Sequence, residues 1–291
     1  MRFLSSFSFA FLGFPLLAFA ATLSVTPENP LQGEPVMIVV DGADIPDTTS
    51  LTFAGKKAPL FLYQGKPIAL IAIDLNQKTG KYSLVLKLVS GEKMEKAITV
   101  MPREKLSAPL GIPEKLGGNT EAAQNALVFT LAKENTTLAN VRTTPLPMWG
   151  DVFAFPLQDP EVVDAYGYSR ATGSYTIPHK GTDFRASVGT PVRAINAGVV
   201  RLARTFTAYG KTVVVDHGGG VQSLSMHLSK IQVKEGQKIT KGQTIGLSGD
   251  TGYALGPHLH LSVRIGGVSI DPMKFFELFS PRTDFDMSDP K

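Results

Sequence analysis

The amino-acid sequence predicts a mainly β protein with an N-terminal immunoglobulin-like β-sandwich, a helical connector and a C-terminal antiparallel β-sheet or barrel-like domain. Three observations lead to this prediction. Short apolar or alternating runs recur between turn residues over residues 21–100, one helical pattern lies within residues 101–149, and strand patterns with glycine-rich turns fill residues 150–280. Residues 1–20 and 281–291 are predicted to be a signal peptide and a loose acidic tail.

The start of the chain has the pattern of a secretory signal peptide. Met1-Arg2 gives a positive start, residues 7–19 are largely apolar, and Ala18-Phe19-Ala20 forms a small-x-small cleavage signal. The stretch is too short and wrongly flanked for a stable membrane span, and an uncleaved anchor is the alternative. We therefore predict export, to the periplasm or as a secreted protein, and no transmembrane segment in the mature chain.

The β-sandwich is predicted from strand patterns that are short and regularly spaced. Turn residues such as Asp41-Gly42 and Thr79-Gly80 separate them, and this spacing is typical of a small antiparallel sandwich. No pattern in this region indicates catalysis. The predicted strands cover residues 36–40, 60–63, 68–73, 82–88 and 97–100.

Prolines mark both ends of the connector. Residues 120–134 are its helix candidate, because apolar residues recur along one side and Asn119 or Thr120 can cap the start. In the C-terminal domain only residues 272–279 indicate a helix, a short one that closes the domain. The prolines at the connector ends are Pro102, Pro109, Pro113, Pro145 and Pro147.

Composition excludes several classes of protein. The formal net charge is +4, since 29 basic residues are balanced by 25 acidic ones, and this excess is too small to indicate a nucleic-acid partner. The chain has no cysteine, so it has no disulfide and no lipid-attachment site of the bacterial lipoprotein kind. Any transition metal would have to be held by nitrogen and oxygen ligands.

Four of the five histidines lie in patterns that a zinc hydrolase needs. His179 and Asp183 form an H-x-x-x-D arrangement, His258 and His260 form an H-x-H arrangement, and His227 lies between them in sequence. Two imidazoles and one carboxylate, with a fourth position left to water, are the usual ligands of a catalytic zinc ion. These patterns therefore indicate zinc as the cofactor.

The local sequence indicates how these groups are presented. Pro178 and Gly181 argue against a helix at the first pair, so we expect an extended turn. Polar and apolar residues alternate around the H-x-H pair as on a half-buried strand, so both histidines point to one face. The same alternation places Ser223, Ser225 and His227 on one face and apolar residues on the other. We therefore expect two strands with apolar backs and His/Ser fronts to form the floor of a groove.

As an ordered series, these motifs resemble the lysostaphin-like (LytM-type) zinc metalloendopeptidases, which cut peptides of bacterial cell walls. The resemblance covers roughly residues 150–275. One departure is Ser225, where the family often has a tyrosine that is not a ligand, so the difference bears on the shape of the groove. The matching segments are residues 179–184, 189–194, 197–200, 209–211, 214–218, 227–229, 233–237, 242–243, 248–252 and 256–260.

The resemblance implies a role for each candidate residue. His179, Asp183 and His260 would be the zinc ligands, and His227 and His258 would be the catalytic pair that does not bind the metal. One of the pair would accept a proton from the attacking water, and the other would hydrogen-bond the developing oxyanion. The resemblance leaves open which histidine does which. The substrate would be a peptide of peptidoglycan.

The fifth histidine, His217, is interpreted differently. It ends a β-branched run and precedes three glycines, Gly218 to Gly220, and this pattern predicts a hairpin turn. We therefore expect replacement of His217 to change stability modestly and to leave metal binding and chemistry intact.

Two other functions remain open on the sequence alone. Proteins of this fold that have lost the metal activate another cell-wall hydrolase, and they are marked by missing ligand residues, whereas all three ligands are present here. The enzyme could instead be latent, with part of residues 101–150 or the sandwich covering the groove. In that hypothesis an asparagine oxygen binds the zinc, and the candidates are Asn119, Asn125, Asn135 and Asn140. The bond cleaved, Gly-Gly or D-Ala-to-diamino-acid, and the oligomeric state also stay open.

Overall fold

The structure is a computed structural model that describes residues 21–280. The predicted signal peptide, residues 1–20, and the predicted tail, residues 281–291, lie outside the described residues. Within residues 21–280 the chain forms 22 strands and two α-helices, which confirms the prediction of a mainly β protein. No helix in this range is long and apolar enough to cross a membrane.

Eight strands form the N-terminal part of the structure. They are β1 (Thr22–Thr26), β2 (Pro35–Asp41), β3 (Thr48–Phe53), β4 (Lys56–Lys57), β5 (Phe61–Tyr63), β6 (Lys66–Ala72), β7 (Gly80–Leu88) and β8 (Lys93–Val100). They pair as two antiparallel sheets with the strand orders β1-β2-β6-β5 and β4-β3-β7-β8. Each strand predicted from the sequence is confirmed, although several differ at their ends from the predicted bounds.

The two N-terminal sheets enclose one apolar core. Ile38 and Ile71 belong to this core from one sheet and Leu84 and Ile98 from the other, and all four are buried. Strand β6 is buried on both of its faces, because its alternate residues, Ile68 among them, pack against the C-terminal part of the chain. The sheets therefore form a sandwich, while its assignment to the immunoglobulin-like type stays a prediction.

The connector contains one α-helix, α1 (Glu121–Ala139). Thr120 caps it, because the Thr120 side-chain oxygen accepts a hydrogen bond from the backbone N–H of Ala123 at 3.3 Å. The predicted helix is confirmed, but it runs beyond its predicted end at residue 134. The extension contains residues of low helix propensity, and Leu138 stabilises it by packing in an apolar cluster with the C-terminal strands.

The remaining strands build three further sheets. They are β9 (Ser107–Pro109), β10 (Val162–Asp164), β11 (Ser169–Thr172), β12 (Tyr175–Pro178), β13 (Thr182–Arg185), β14 (Pro191–Arg193), β15 (Gly198–Thr205), β16 (Lys211–Gly218), β17 (Val221–Leu228), β18 (Lys230–Ile231), β19 (Lys238–Ile239), β20 (Thr244–Leu247), β21 (His258–Ile265) and β22 (Val268–Ile270). The main sheet has the antiparallel order β10-β13-β21-β17-β16-β15-β19, with β22 beside β21. The small sheets are β14-β20-β18 and β12-β11-β9, and β9 of the connector runs parallel to β11.

A second helix, α2 (Pro272–Phe279), closes the C-terminal part and confirms the short helix predicted there. Asp271 caps it, because Oδ1 of Asp271 accepts a hydrogen bond from the N–H of Met273 at 3.0 Å. Phe275 and Phe279 are fully buried or nearly so. The helix is therefore held against the main core by its aromatic residues.

Trp149 joins the sandwich to the C-terminal part. Its ring centroid lies 5.7 Å from that of Phe61 and 5.3 Å from that of Tyr63 in strand β5. On the other side it lies 4.9 Å from Phe153 and 5.3 Å from Phe279. Because large aromatic contacts of this kind bury much apolar surface, the two parts pack as one body around Trp149.

The sandwich approaches the main sheet from the side opposite the predicted catalytic face. Phe61 and Ile68 share an apolar cluster with Leu259 and Leu261 of strand β21. These two leucines alternate along β21 with the histidines of the H-x-H pair and point to the other face. The structure therefore gives no support to the sandwich as the element that covers the groove.

Candidate metal centre

Strand register brings two of the predicted ligands side by side. Asp183 of β13 lies directly opposite His260 of β21 in the antiparallel ladder. His179 follows strand β12 and precedes β13, in the non-helical turn that the sequence predicted. Of the His, Asp and Glu groups within the described residues, these three are the group positioned to hold a metal ion.

The distances between the donor atoms fit one metal ion. Nε2 of His179 lies 3.1 Å from Oδ1 of Asp183 and 3.1 Å from Nδ1 of His260. Nδ1 of His260 lies 2.7 Å from the same carboxylate oxygen. Ligands of a tetrahedral zinc site lie about 3.3 Å apart when the metal–ligand bonds are about 2.0–2.1 Å. The three side chains are therefore close to the spacing that zinc needs.

The other ring nitrogens decide which atoms face this centre. Nδ1 of His179 lies 2.9 Å from the carbonyl oxygen of Ala165, so it carries a proton and donates it. The Ser262 hydroxyl donates to the carbonyl of Lys180 at 2.6 Å, so it accepts from Nε2 of His260 at 3.1 Å. Two unprotonated nitrogens and a carboxylate thus converge, and only a cation satisfies all three. The site fits a zinc ion.

The charge of Asp183 agrees with this assignment. Burial acts to raise the pKa of its carboxyl group, but the imidazoles of His179 and His260 beside it outweigh burial and hold that pKa well below its usual range. Asp183 is therefore ionised at neutral pH. A carboxylate beside two neutral imidazoles partly neutralises a dication and favours its binding.

Asp164 is a neighbour of the site that the sequence analysis missed. Its carboxylate lies 3.8 Å from Nδ1 of His179 and forms an ion pair with Arg170. Asp164 ends strand β10 and pairs with Asp183 in the ladder. It belongs to no ligand motif, and only the pairing of β10 with β13 brings it near His179, so no local signal could have identified it.

Gly181 is required for the approach of β21 to the ligand turn. A Cβ atom at this position would lie 2.6 Å from the backbone oxygen of Leu261 and 2.6 Å from Cε1 of His260.

We expect Gly181→Ala to displace His260 and weaken metal binding by about 10–100-fold, the loss typical when the groups that orient a metal ligand are disturbed. Metal affinity by competition with a chelator measures this, and Gly150→Ala, where a Cβ would meet no atom within 4 Å and the backbone has no positive φ, is the control. Unchanged affinity in Gly181→Ala would contradict the expectation.

His227 and His258 present the same ring nitrogen to the site. Nδ1 of His258 donates to the carbonyl of Gly256 at 2.8 Å, and Nδ1 of His227 donates to the carbonyl of Thr251 at 2.8 Å. In both rings Nε2 is left unprotonated, and Nε2 of His258 lies 3.8 Å from the carboxylate of Asp183. Burial is the main cause that lowers the pKa of His227 to about 3, and the neighbouring His260 and His258 lower it further. His227 is therefore neutral in this arrangement.

The predicted facing of strand β17 is wrong. Met226 pairs with His260 and Leu224 with Ser262 across the ladder, so these two apolar residues of β17 share the face of the site. Ser223 and Ser225 pair with core residues of β21 and point to the opposite side. With regular alternation, His227 would follow the serines away from the site.

A β-bulge turns His227 back toward the metal centre. Relative to β16, strand β17 holds one extra residue between Ser225 and Leu228, and His227 has a φ of 60°, which is uncommon for residues other than glycine. The ring centroid of His227 consequently lies 4.9 Å from that of His258 and 6.0 Å from that of His260. A bulge leaves no mark in hydrophobic periodicity, so alternation alone misplaces this residue.

His217 lies outside this site and inside the core. It belongs to strand β16, next to the predicted hairpin, and is completely buried. Its Nδ1 donates to the carbonyl of Ala197 at 2.8 Å, and its Nε2 accepts from the hydroxyl of Ser223 at 2.9 Å. The expected modest effect of its replacement is therefore too small, because loss of the ring leaves a cavity and two unpaired polar groups.

Burial lowers the pKa of His217 to about 4, whereas an unfolded histidine titrates near about 6.5. Below about pH 6.5 the unfolded chain therefore binds a proton that the folded chain refuses until about pH 4. We expect the free energy of unfolding to fall across this window as pH falls, and to fall less steeply in His217→Gln. Urea unfolding at several pH values measures both slopes. Equal slopes in the two proteins would contradict a lowered pKa of His217 in the folded protein.

The connector lies on the catalytic face of the main sheet. Leu138 of helix α1 packs with Leu224 and Met226 of strand β17, and Nη1 of Arg264 donates to the carbonyl of Leu138 at 3.0 Å. Ile112 packs with Tyr253, which follows the loop that holds His227. The connector therefore forms part of the surroundings of the groove, and its removal would expose apolar residues of β17.

The asparagines considered as metal ligands make other contacts. The side-chain oxygens of Asn119, Asn125 and Asn135 accept hydrogen bonds from a backbone N–H and two tyrosine hydroxyls. Asn140 ends helix α1 as its C-cap. The structure therefore gives no support to an asparagine oxygen as the group that closes the metal site.

Fold and site together define a candidate metal centre of the kind found in metal-dependent hydrolases: an antiparallel sheet carries a His-Asp-His group, and two further histidines direct Nε2 toward it. Residues 177–272 match Peptidase family M23. This match confirms the resemblance drawn from the ordered motifs, and the His-Asp-His group agrees with the ligand set expected for zinc.

Known proteins with similar sequences include two named endopeptidases. The chain is 36% identical over 171 residues to the peptidoglycan DD-endopeptidase ShyA of Vibrio cholerae, covering 56% of this chain and 40% of ShyA. It is 41% identical over 95 residues to the DD-carboxypeptidase/endopeptidase Mpg of Neisseria meningitidis, covering 33% of this chain and 22% of Mpg. The chain thus spans less than half the length of these relatives.

One solved structure is similar over most of the chain. It is a peptidase M23 from Pseudomonas aeruginosa with 29% sequence identity and a TM-score of 0.57, and the match covers 86% of this chain and 96% of that one. The similarity extends well beyond residues 177–272, so parts of the arrangement N-terminal to the M23 domain also occur in that protein.

Proposed function

We propose that this protein is a zinc endopeptidase that hydrolyses peptide bonds in bacterial peptidoglycan, with DD-endopeptidase activity. The observation that carries the proposal is the convergence of three unprotonated donors with two further histidines whose Nε2 atoms are free. The name of ShyA, a peptidoglycan DD-endopeptidase, supports peptidoglycan as the substrate class, and the name of Mpg supports endopeptidase activity. The presence of all three ligands disfavours the metal-free activator.

The candidate residues divide into three that would bind the metal and two that would act on the water and the substrate. His179, Asp183 and His260 would hold the zinc ion, which when bound supplies Lewis acidity that lowers the pKa of water toward about 7 and polarises a carbonyl. Nε2 of His227 or His258 would accept a proton from the attacking water and return it to the leaving amine. The other ring would hydrogen-bond the oxygen that gains charge, a role that requires a proton on its Nε2 in addition to the proton on Nδ1.

Backbone carbonyls keep the ring that accepts the proton in the tautomer that this role requires. Because Nδ1 of each ring donates to a carbonyl, of Gly256 or of Thr251, the tautomer with a free Nε2 is favoured in both. Neither ring needs to rotate before it accepts a proton, and this preorganisation lowers the cost of the transfer. The division of roles between His227 and His258 stays open.

Digestion of isolated wall sacculi tests the proposal. The purified zinc-loaded protein is incubated with sacculi, and the soluble fragments are identified by mass spectrometry. We expect cross-linked muropeptides to be converted to uncross-linked ones, with the activity lost after chelation and restored by zinc. Bound zinc without any hydrolysis would favour the latent enzyme, and absence of zinc binding would favour the activator.

Export to the periplasm or the outside belongs to the same proposal. Its support is the signal-peptide pattern at the start of the sequence and the location of the substrate class outside the cytoplasm. N-terminal sequencing of the protein recovered from a cell-envelope fraction tests it. A chain that still begins at Met1 in the cytoplasmic fraction would contradict export.

A further inference from the structure

Helix α1 carries a buried charge on its apolar side. Four residues of the helix are buried, Ala123, Leu127, Glu134 and Leu138, and their spacing puts them along one side of the helix. Three are apolar and pack against the C-terminal part. Glu134 is 6% exposed, and a buried carboxylate is costly unless it is well paired.

The partners of Glu134 are three successive backbone N–H groups. Its Oε1 accepts from Thr207 at 2.7 Å and from Ala208 at 3.0 Å, and its Oε2 accepts from Ala208 and from Tyr209, both at 3.1 Å. Consecutive N–H groups that point to one carboxylate form an anion-binding nest. The helix therefore fixes the backbone of residues 207–209, which we call the nest loop.

The nest loop contacts His227 directly through the backbone. The N–H of His227 donates to the carbonyl of Tyr209 at 3.0 Å, and Tyr209 is one of the three residues whose N–H binds Glu134. His227 has a left-handed φ of 60°, a conformation that surrounding contacts must maintain. The Tyr209 carbonyl is one of those contacts.

A second route leads from the nest loop to the ring of His227. The carbonyl of Ala208 accepts from the N–H of Tyr253 at 2.8 Å, and the N–H of Lys211 donates to the hydroxyl of Thr251 at 2.9 Å. Thr251 in turn offers its carbonyl to Nδ1 of His227 at 2.8 Å. Residues 251–253, which include the carbonyl that sets the tautomer of His227, are therefore hydrogen-bonded to the nest loop and to Lys211 just after it.

From this geometry we infer that Glu134 is a positioning residue for His227, so that the connector helix supports catalysis instead of blocking the groove. Glu134 touches neither the metal ligands nor the catalytic rings in the contacts described. It acts through the nest loop on both the backbone and the ring of His227. The kinetic part of this inference rests on the proposed function.

Glu134→Gln tests the inference, because the amide keeps the shape of the side chain but places an N–H₂ group against N–H donors. We expect kcat on sacculi to fall about tenfold or more, as expected for a misplaced catalytic group, with zinc per mole unchanged and KM changed less than about twofold. Glu121→Gln on the exposed first turn of the same helix is the matched control and should leave all three unchanged. Loss of zinc, or a change in KM alone, would overturn the inference.

A double-mutant cycle separates positioning from general destabilisation. If Glu134 acts through His227, adding Glu134→Gln to His227→Ala should lower the residual rate by less than about twofold. If the rate losses of the two single variants multiply in the double variant, the inference is overturned.

If Glu134→Gln does not fold, Asn135→Ala takes its place, because exposed Asn135 accepts a hydrogen bond from the hydroxyl of Tyr209 at 2.8 Å. A smaller loss in the same direction is then expected, and an unchanged kcat would count against the inference.

A spectroscopic readout does not depend on activity. The ring Nδ1–H of His227 gives a ¹H–¹⁵N signal that is assigned by its absence in His227→Ala. We expect this proton to exchange faster with water in Glu134→Gln and at the wild-type rate in Glu121→Gln. An unaltered signal in Glu134→Gln would overturn the inference. If the wild-type protein cleaves no sacculi, the proposed function fails while this measurement still decides the role of Glu134.

Discussion

Alanine at His179, Asp183 or His260 is expected to abolish both metal binding and hydrolysis. Each side chain supplies one of the three donors that lie 2.7–3.1 Å from one another. Removal of an outer partner of a metal ligand already costs about 10–100-fold in affinity or activity, so loss of a ligand should exceed this. Asp183→Ala also removes the one negative charge of the ligand set, which leaves two neutral imidazoles facing a dication.

Metal per mole of protein and muropeptide release measure this expectation together. Asp159→Ala is the matched control, because Asp159 is exposed and has no part in the ligand set. It should keep both metal and activity. Stoichiometric, tightly held zinc in His260→Ala would contradict the ligand assignment.

His227→Ala and His258→Ala are expected to keep the metal and lose the rate. Neither ring is in the group that can hold a metal ion, and each has its Nδ1 bound to a backbone carbonyl. Loss of a positioned proton carrier costs about 10²–10⁴-fold, so we expect rate losses in that range at wild-type zinc content. The contrast with the ligand variants separates binding from proton transfer.

The same two measurements decide this second expectation. His217→Gln serves as the control for loss of a buried ring outside the site, and at neutral pH it should keep the metal and the rate. The assignment of roles fails if His258→Ala loses its metal while His260→Ala retains it. It also fails if His227→Ala cleaves at the wild-type rate.

Much of the site could be predicted from sequence because its signals are local. The alternation of strand β21 places His258 and His260 on one face, and the structure bears this out with Leu259 and Leu261 buried on the other. The turn that carries His179 is non-helical, as Pro178 and Gly181 predicted. Thr120 and Asp271 cap the two helices where the sequence has capping residues. Each of these signals depends on residues within a few positions of one another.

Other features depend on contacts between distant segments and were decided by the tertiary structure. The bulge in β17 reverses the facing of His227, and it follows from the pairing of β17 with both β16 and β21. Helix α1 continues past its predicted end because Leu138 packs in the cluster that contains Leu224. His217 is buried because strand pairing and the Phe153 contact enclose it.

The sequence by itself predicted the candidate ligand residues, the strand that carries His260, the two helices and the resemblance to a peptidase family, because periodicity, capping and motif order are properties of neighbouring residues. Only the tertiary structure placed His227 beside His258 and gave Glu134 its three N–H partners. The physical reason is that a bulge and a backbone nest arise where separate segments meet, and their geometry depends on pairing and packing that no single stretch of sequence encodes.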